Sequence, residues 1–286
     1  MTTIHKDTHI GSVTLKVRDL EKLVLYYTET IGLKILSRTS SKAVLTADGS
    51  TPLLLLEGNA DLEQRPVRSA GLYHLALLVP TRKDLANVLQ HFITSETRMA
   101  GASNHLFSEA LYLQDPENNG IEIYRDVNRE DWVRDAEGKL PAASEPLDVH
   151  GLLAEAETKP WDGLPEKTIM GHVHLNVVNI PEAEHFYVNV LGFEEQTRMA
   201  HHALFISAGG YHHHIAMNIW NGPNAIPAPK EATGLLSYEI ILPDADEVEK
   251  MKQKLLKNDI SFSYQDEQIS VTDPAGNGII IKHIKS

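Results

Sequence analysis

Fifteen histidines and no cysteine stand in a chain of 286 residues, so any metal it holds is bound through nitrogen and oxygen rather than thiolate. The same absence excludes disulfides, iron–sulfur clusters and cysteine nucleophiles. Four places put imidazoles or a carboxylate where they could do chemistry. His74 lies in Gly71-Leu72-Tyr73-His74-Leu75-Ala76-Leu77, and His172 in Gly171-His172-Val173-His174-Leu175-Asn176-Val177. Glu122 follows the turn Asp115-Pro116-Glu117-Asn118-Asn119-Gly120. The fourth, Tyr211-His212-His213-His214-Ile215-Ala216-Met217, carries three consecutive imidazoles; in a strand they alternate between faces, so His213 is expected to point opposite to His212 and His214. A solvated polar cluster is the competing reading of that triplet.

The elements that must position these groups repeat. Ser12 to Gly32 and His172 to Gly192 are both 20 residues, each starting in an alternating strand, crossing a helical stretch (Leu20 to Thr28, Pro181 to Asn189) and reaching an apolar-Gly-apolar stop. A second pair opens with the strands from Gly71 and from Gly234 and runs through the helices Asp84 to Phe92 and Asp246 to Leu256. This pair closes on Asp115-Pro116-Glu117-Asn118-Asn119-Gly120-Ile121-Glu122 and Asp273-Pro274-Ala275-Gly276-Asn277-Gly278-Ile279-Ile280. Each unit therefore reads as strand, amphipathic helix and two or three further strands. The expected class is α+β, with four βαβββ modules at 9–57, 71–125, 169–221 and 234–284 forming two half-barrel domains, 1–125 and 169–286. Residues 126–168, rich in proline and without a period, form the connection and have room for short helices. A sheet covered by helices on one face leaves the other concave for a ligand. The modules also differ informatively: where the second has His74 and Glu122, the fourth keeps the turn but has Ser237 and Ile280. A structural role would be expected in both copies, whereas a metal site needs only one.

This arrangement resembles the vicinal oxygen chelate superfamily of glyoxalases, extradiol ring-cleaving dioxygenases and bleomycin-resistance proteins, over nearly the whole chain apart from the connection. The resemblance implies metal ligands on first and last strands of paired modules, which assigns His74, His172 and Glu122. Two histidines and one carboxylate make the facial triad of non-haem Fe(II) oxygenases, with Mn(II) as the other candidate ion. The stretch from Asn104 through His105 and Tyr112 to Glu122 is similar to the extradiol dioxygenase signature, with Ser103 and Asn118 departing from its usual residues. Asn118 tolerates the left-handed conformation the turn needs. Tyr112, ten residues before Glu122, is expected on the same strand face by parity once the intervening turn is allowed for. By the same resemblance His213 is the acid–base residue, with His214 as its fallback one position on. Tyr112 is a hydrogen-bond partner for substrate oxygen, and His105 assists it. The triad closes within one chain only if the second and third modules face each other, as in relatives that act on hydroquinones; a cavity shared across a homodimer would also serve.

The implied activity is cleavage of a small aromatic diol next to its hydroxyls by O2, in aromatic catabolism. Phe107 and Trp220 are candidates for the apolar lining. A glyoxalase-like lyase or isomerase would need a second carboxylate as base, and the Tyr211 to Asn218 stretch offers none. A non-catalytic small-molecule binding protein of the bleomycin-resistance kind is typically two modules long, not four. With 26 Lys+Arg against 39 Asp+Glu the formal charge is −13, which argues against nucleic acid or anionic membrane as partner. No apolar run approaches the roughly 18 residues of a membrane span, and the start lacks a signal pattern. A cytoplasmic homo-oligomer is expected.

Overall fold

The computed structural model describes residues 3–222 and 225–284. The four expected modules are all present. The first comprises β1 (His9–Val17), α1 (Leu20–Leu25), a π-helical turn (Tyr26–Thr30), β2 (Lys34–Arg38), β3 (Lys42–Thr46) and β4 (Pro52–Gly58). The second comprises β5 (Gly71–Leu78), α2 (Arg82–Thr94), β6 (Gly101–Asn104), β7 (Ser108–Gln114) and β8 (Gly120–Asp126). After a 3₁₀ turn (Arg129–Asp131) and α3 (Val149–Leu153) in the connection, the third has β9 (Ile169–Asn176), α4 (Ile180–Glu184), a second π-helical turn (His185–Leu191), β10 (Glu194–Met199), β11 (Ala203–Ser207) and β12 (Ile215–Asn218). The fourth has β13 (Gly234–Leu242), α5 (Ala245–Lys257), β14 (Phe262–Gln265), β15 (Gln268–Thr272) and β16 (Gly278–His283).

Each module helix begins at the same chemical signal. The side chains of Asp19, Thr81, Asn179 and Asp244 each accept the backbone N–H three residues on, satisfying one of the donors a helix start leaves open. Val248, Met251 and Leu255 then form the buried stripe of α5, spaced for one helical face. The strands lie in two eight-stranded sheets, ordered β14-β15-β16-β13-β1-β4-β3-β2 and β10-β11-β12-β9-β5-β8-β7-β6. Hydrogen bonding thus joins the first module to the fourth and the second to the third. The chain divides into two compact units, one of residues up to 16, 63–73 and from 172 onward, the other of 17–62 and 74–171. Among the described residues no helix is long and apolar enough to cross a membrane.

The first-module helix, expected to run from Leu20 to Thr28, is α-helical only to Leu25, and the third-module helix only to Glu184; both continue as π-helical turns. The wider turn brings a tyrosine to the Asp-Pro turn of the following module. Tyr27 donates its hydroxyl to Asp115 Oδ2 at 3.0 Å, and Tyr187 donates to Asp273 Oδ2 at 2.9 Å. The aspartate also closes its own turn: Asp115 Oδ1 accepts the N–H groups of Glu117 and Asn119 at 2.8 and 2.9 Å, and Oδ2 accepts Asn119 Nδ2 at 2.8 Å. Asn118 is left-handed there, with φ of 64°, matching Gly276 at 88° in the fourth module. Burial raises the carboxyl pKa of Asp115 and Asp273 despite these bonds, and pushes the Tyr27 and Tyr187 hydroxyls well up. Asp115→Ala strips the acceptor from four donors, and at about 1–3 kcal/mol per orphaned buried group, relieved in part by water, a loss of about 3 kcal/mol is expected. A urea unfolding midpoint equal to that of the parent chain would show that the turn does not hold the first-module helix.

The strand that carries His172 is polar on one face yet buried along its length from Met170 to Asn176. Val173, Leu175 and Val177 occupy the core side, and His172, His174 and Asn176 the other. Burying three polar side chains in a row costs free energy unless each finds a partner.

Candidate metal centre

His74 and Glu122 sit on neighbouring parallel strands, with His74 opposite Gly120 and Ala76 opposite Glu122. Glu122 is therefore two residues, an even step, beyond the position facing His74, and both side chains share a face. His74 Nε2 lies 2.9 Å from Glu122 Oε2, and the side chains are 8% and 5% exposed. His172 stands on β9, the strand next to β5 in the same sheet. One ligand atom from each of His74, Glu122 and His172 lies within 4.8 Å of the others, and all three residues are buried. Gly171 precedes His172 because a Cβ at that position would collide with the Tyr124 hydroxyl. Two imidazoles and one carboxylate, gathered out of water, are a donor set suited to a divalent first-row metal, whose charge offsets the buried carboxylate. Three protein donors leave further coordination directions open.

Tyr112 stands on the expected face, across the turn that separates it from Glu122. It lies on β7, and the antiparallel register sets it directly opposite Glu122 on β8. Directly opposed residues of an antiparallel pair share a face. The Tyr112 ring stands 5.8 Å from that of His74. His105 Nε2 lies 2.7 Å from the Tyr112 hydroxyl, and its Nδ1 lies 2.7 Å from the carbonyl of Ala143. A carbonyl only accepts, so neutral His105 carries its proton on Nδ1 and accepts the Tyr112 hydroxyl proton at Nε2. The Tyr112 oxygen then presents acceptor lone pairs to its surroundings. Ala143 belongs to the connection, held there by the paired backbones of Asn104 and Glu145 at 2.9 and 2.8 Å. Phe107 stacks on His105, 6.1 Å between ring centres, and meets Trp132 edge-on.

The histidine triplet is not in a strand, and this corrects the expected alternation. Gly209 and Gly210 are both left-handed, with φ of 57° and 67°, so the chain turns before the triplet and β12 begins only at Ile215. His212 and His213 consequently share a side: their Nδ1 atoms are 2.8 Å apart and both residues are buried. One of the two must donate and the other accept, so moving that proton switches His213 Nε2 between donor and acceptor. The His213 ring is 4.2 Å from that of His172. His214, the fallback, accepts the N–H of Ala208 on Nδ1 at 3.1 Å. Sequence reasoning passed over His174, Asn176 and Asn218, although His174 stands two residues from His172 and so on its face.

The sequence pattern of the Glyoxalase/Bleomycin resistance protein/Dioxygenase superfamily matches residues 9–123 and again 169–281. The chain belongs to that superfamily. Within it, the catechol-2,3-dioxygenase of Bacillus subtilis (strain 168) is 43% identical over 282 residues, 98% of this chain and 99% of that protein. Solved structures share the fold at low identity. One from Bacillus subtilis subsp. subtilis str. 168 has a TM-score of 0.70 at 11% identity, covering 99% of this chain and 86% of that one. Glyoxalase I from Zea mays has a TM-score of 0.56 at 14% identity, covering 96% and 92%. Both glyoxalases and dioxygenases thus occur among relatives of the same architecture, and the site residues must separate the two chemistries.

Proposed function

We propose that this chain is an extradiol dioxygenase that opens a catechol-type ring beside its two hydroxyls with O2, at a non-haem Fe(II) held by His74, His172 and Glu122; Mn(II) is the alternative ion. The observation that carries the reading is the buried meeting of two imidazoles and one carboxylate, in a chain 43% identical to a protein named catechol-2,3-dioxygenase. A glyoxalase-like lyase would call for a second carboxylate as base, and the cluster among the described residues has one.

An ion bound there would supply Lewis acidity, which lowers the pKa of a diol hydroxyl toward neutral pH. Glu122 and the imidazoles of His74 and His172 would hold it. Tyr112, its own proton given to His105, accepts a hydrogen bond from a substrate hydroxyl. His105 can take up the tyrosine's proton fully when Tyr112 must serve as a base, and the Ala143 carbonyl then stabilises the resulting imidazolium. His213 delivers a proton to the oxygen that develops negative charge and recovers it through His212. Burial of His212 and His213 keeps bulk water from competing for the same protons. A cytoplasmic, homo-oligomeric enzyme of aromatic catabolism completes the proposal.

The test is anaerobic purification with metal analysis, followed by catechol in air. Stoichiometric iron, uptake of one O2 per catechol and a yellow ring-opened hydroxy-semialdehyde are expected. A chain that carries stoichiometric iron and consumes no oxygen with any catechol would point to the lyase chemistry.

A further inference from the structure

We infer that the β9 face beyond His172 is a recognition subsite for the side arm of the ring, selecting catechols whose arm ends in a hydrogen-bond donor such as a hydroxyl and rejecting those that end in a carboxylate. This rests on the dioxygenase reading and goes on to name the substrate class.

Three observations lead there. Asn176 is 3% exposed, lies on the face of His172 and His174, and its Oδ1 has no hydrogen-bond partner among the described residues. A buried carboxamide oxygen left in that condition asks for a donor from a ligand. Next to it in register stands Asn218, whose orientation is locked because its Oδ1 accepts the Trp220 N–H at 2.9 Å. Its Nδ2 must then donate to His174 Nε2, 2.9 Å away, so neutral His174 carries its proton on Nδ1. Finally, a continuous run of rings leads outward from the metal ligand. His172 meets His213 at 4.2 Å, His213 meets Phe205 at 5.2 Å, and Phe205 meets His174 at 5.8 Å. His174 in turn meets Tyr73 at 4.8 Å and Trp220 at 5.3 Å. Tyr73 and Trp220 are 42% and 46% exposed, so the run ends at solvent.

The spacing suits one ring with an arm. Along a strand, His174 lies about 7 Å and Asn176 about 13 Å from His172, so a diol chelated beside His172 sets its ring against His174 and Phe205 and its arm toward Asn176. Aromatic walls favour the flat ring. The carboxamide oxygen of Asn176 repels an anionic terminus, and the chain's formal charge of −13 adds to that repulsion.

The test measures affinity first and turnover second. The iron-reconstituted full chain is titrated anaerobically with 4-(2-hydroxyethyl)catechol, its isostere 4-propylcatechol, and 3,4-dihydroxyphenylacetate, and each is then offered with air. The hydroxyl compound is expected to bind about tenfold or more tighter than the propyl compound, with the carboxylate weakest. In Asn176→Leu the ratio of hydroxyl to propyl compound is expected to fall to about one or to invert. Equal binding of hydroxyl and propyl compounds by the parent chain, or an unchanged ratio in the variant, overturns the subsite. The comparison within the parent chain decides the matter even if the variant fails to fold. Turnover of all three without preference removes only the subsite, whereas failure to turn over any of them, with iron bound, removes the dioxygenase reading.

Discussion

His74→Ala is expected to give a folded protein without stoichiometric metal and with ring-cleavage kcat/KM reduced about a thousandfold or more, equivalent to about 4 kcal/mol of transition-state stabilisation. The size follows from the count of donors. Among the described residues three protein groups converge, so removing one takes a third of the protein's hold on an ion. It also leaves Glu122 buried without the imidazole that lies 2.9 Å from it. Losing that neighbour makes the buried carboxylate costlier to keep charged. Metal analysis beside a circular dichroism spectrum checks the outcome. Full metal content with lost activity would make His74 a hydrogen-bonded structural residue and sink the triad.

His213→Ala is expected to keep its metal and lose about 10²–10⁴-fold in kcat, the range that a positioned general acid or base supplies. The two losses separate the roles: a ligand takes the ion with it, an acid–base residue does not. The Nδ1 contact of 2.8 Å between His212 and His213 sharpens the expectation. His212→Asn retains a polar partner for His213 but cannot exchange the shared proton, so the pH profile of kcat should move while metal content stays. A fall in kcat below about tenfold in His213→Ala would reassign the proton delivery to another group. Loss of metal in that variant would make His213 a support for His172, whose ring it touches at 4.2 Å.

Much of the site was legible because its parts repeat. The Asp-Pro turn recurs at Asp115 and Asp273, and the difference between Glu122 and Ile280 in otherwise matched positions singles out the carboxylate. The helix starts were legible too, since Asp19, Thr81, Asn179 and Asp244 are the short polar side chains that can cap. The π-helical turns were not, since a stretch of 5 or 7 residues is too short to display a period of its own. They are set by the tertiary bonds from Tyr27 to Asp115 and from Tyr187 to Asp273.

Local pattern misled where the backbone turned. Three histidines before Ile215-Ala216-Met217 read as a strand, yet two left-handed glycines place them in a turn and put His212 beside His213. The turn between Tyr112 and Glu122 was legible in the sequence, whereas the cross-strand register that sets Tyr112 directly opposite Glu122 came from the folded chain.

Composition, period and repeat thus sufficed for the architecture, the nitrogen and oxygen donor set and the choice of carboxylate, because these depend on residue type and on spacing within a single module. Which modules share a sheet, which tautomer His105 and His174 adopt, and that Ala143 and Asn218 impose them, came from the folded chain. Hydrogen-bond direction at an imidazole depends on the partner that arrives from elsewhere in the sequence, and no local pattern names that partner.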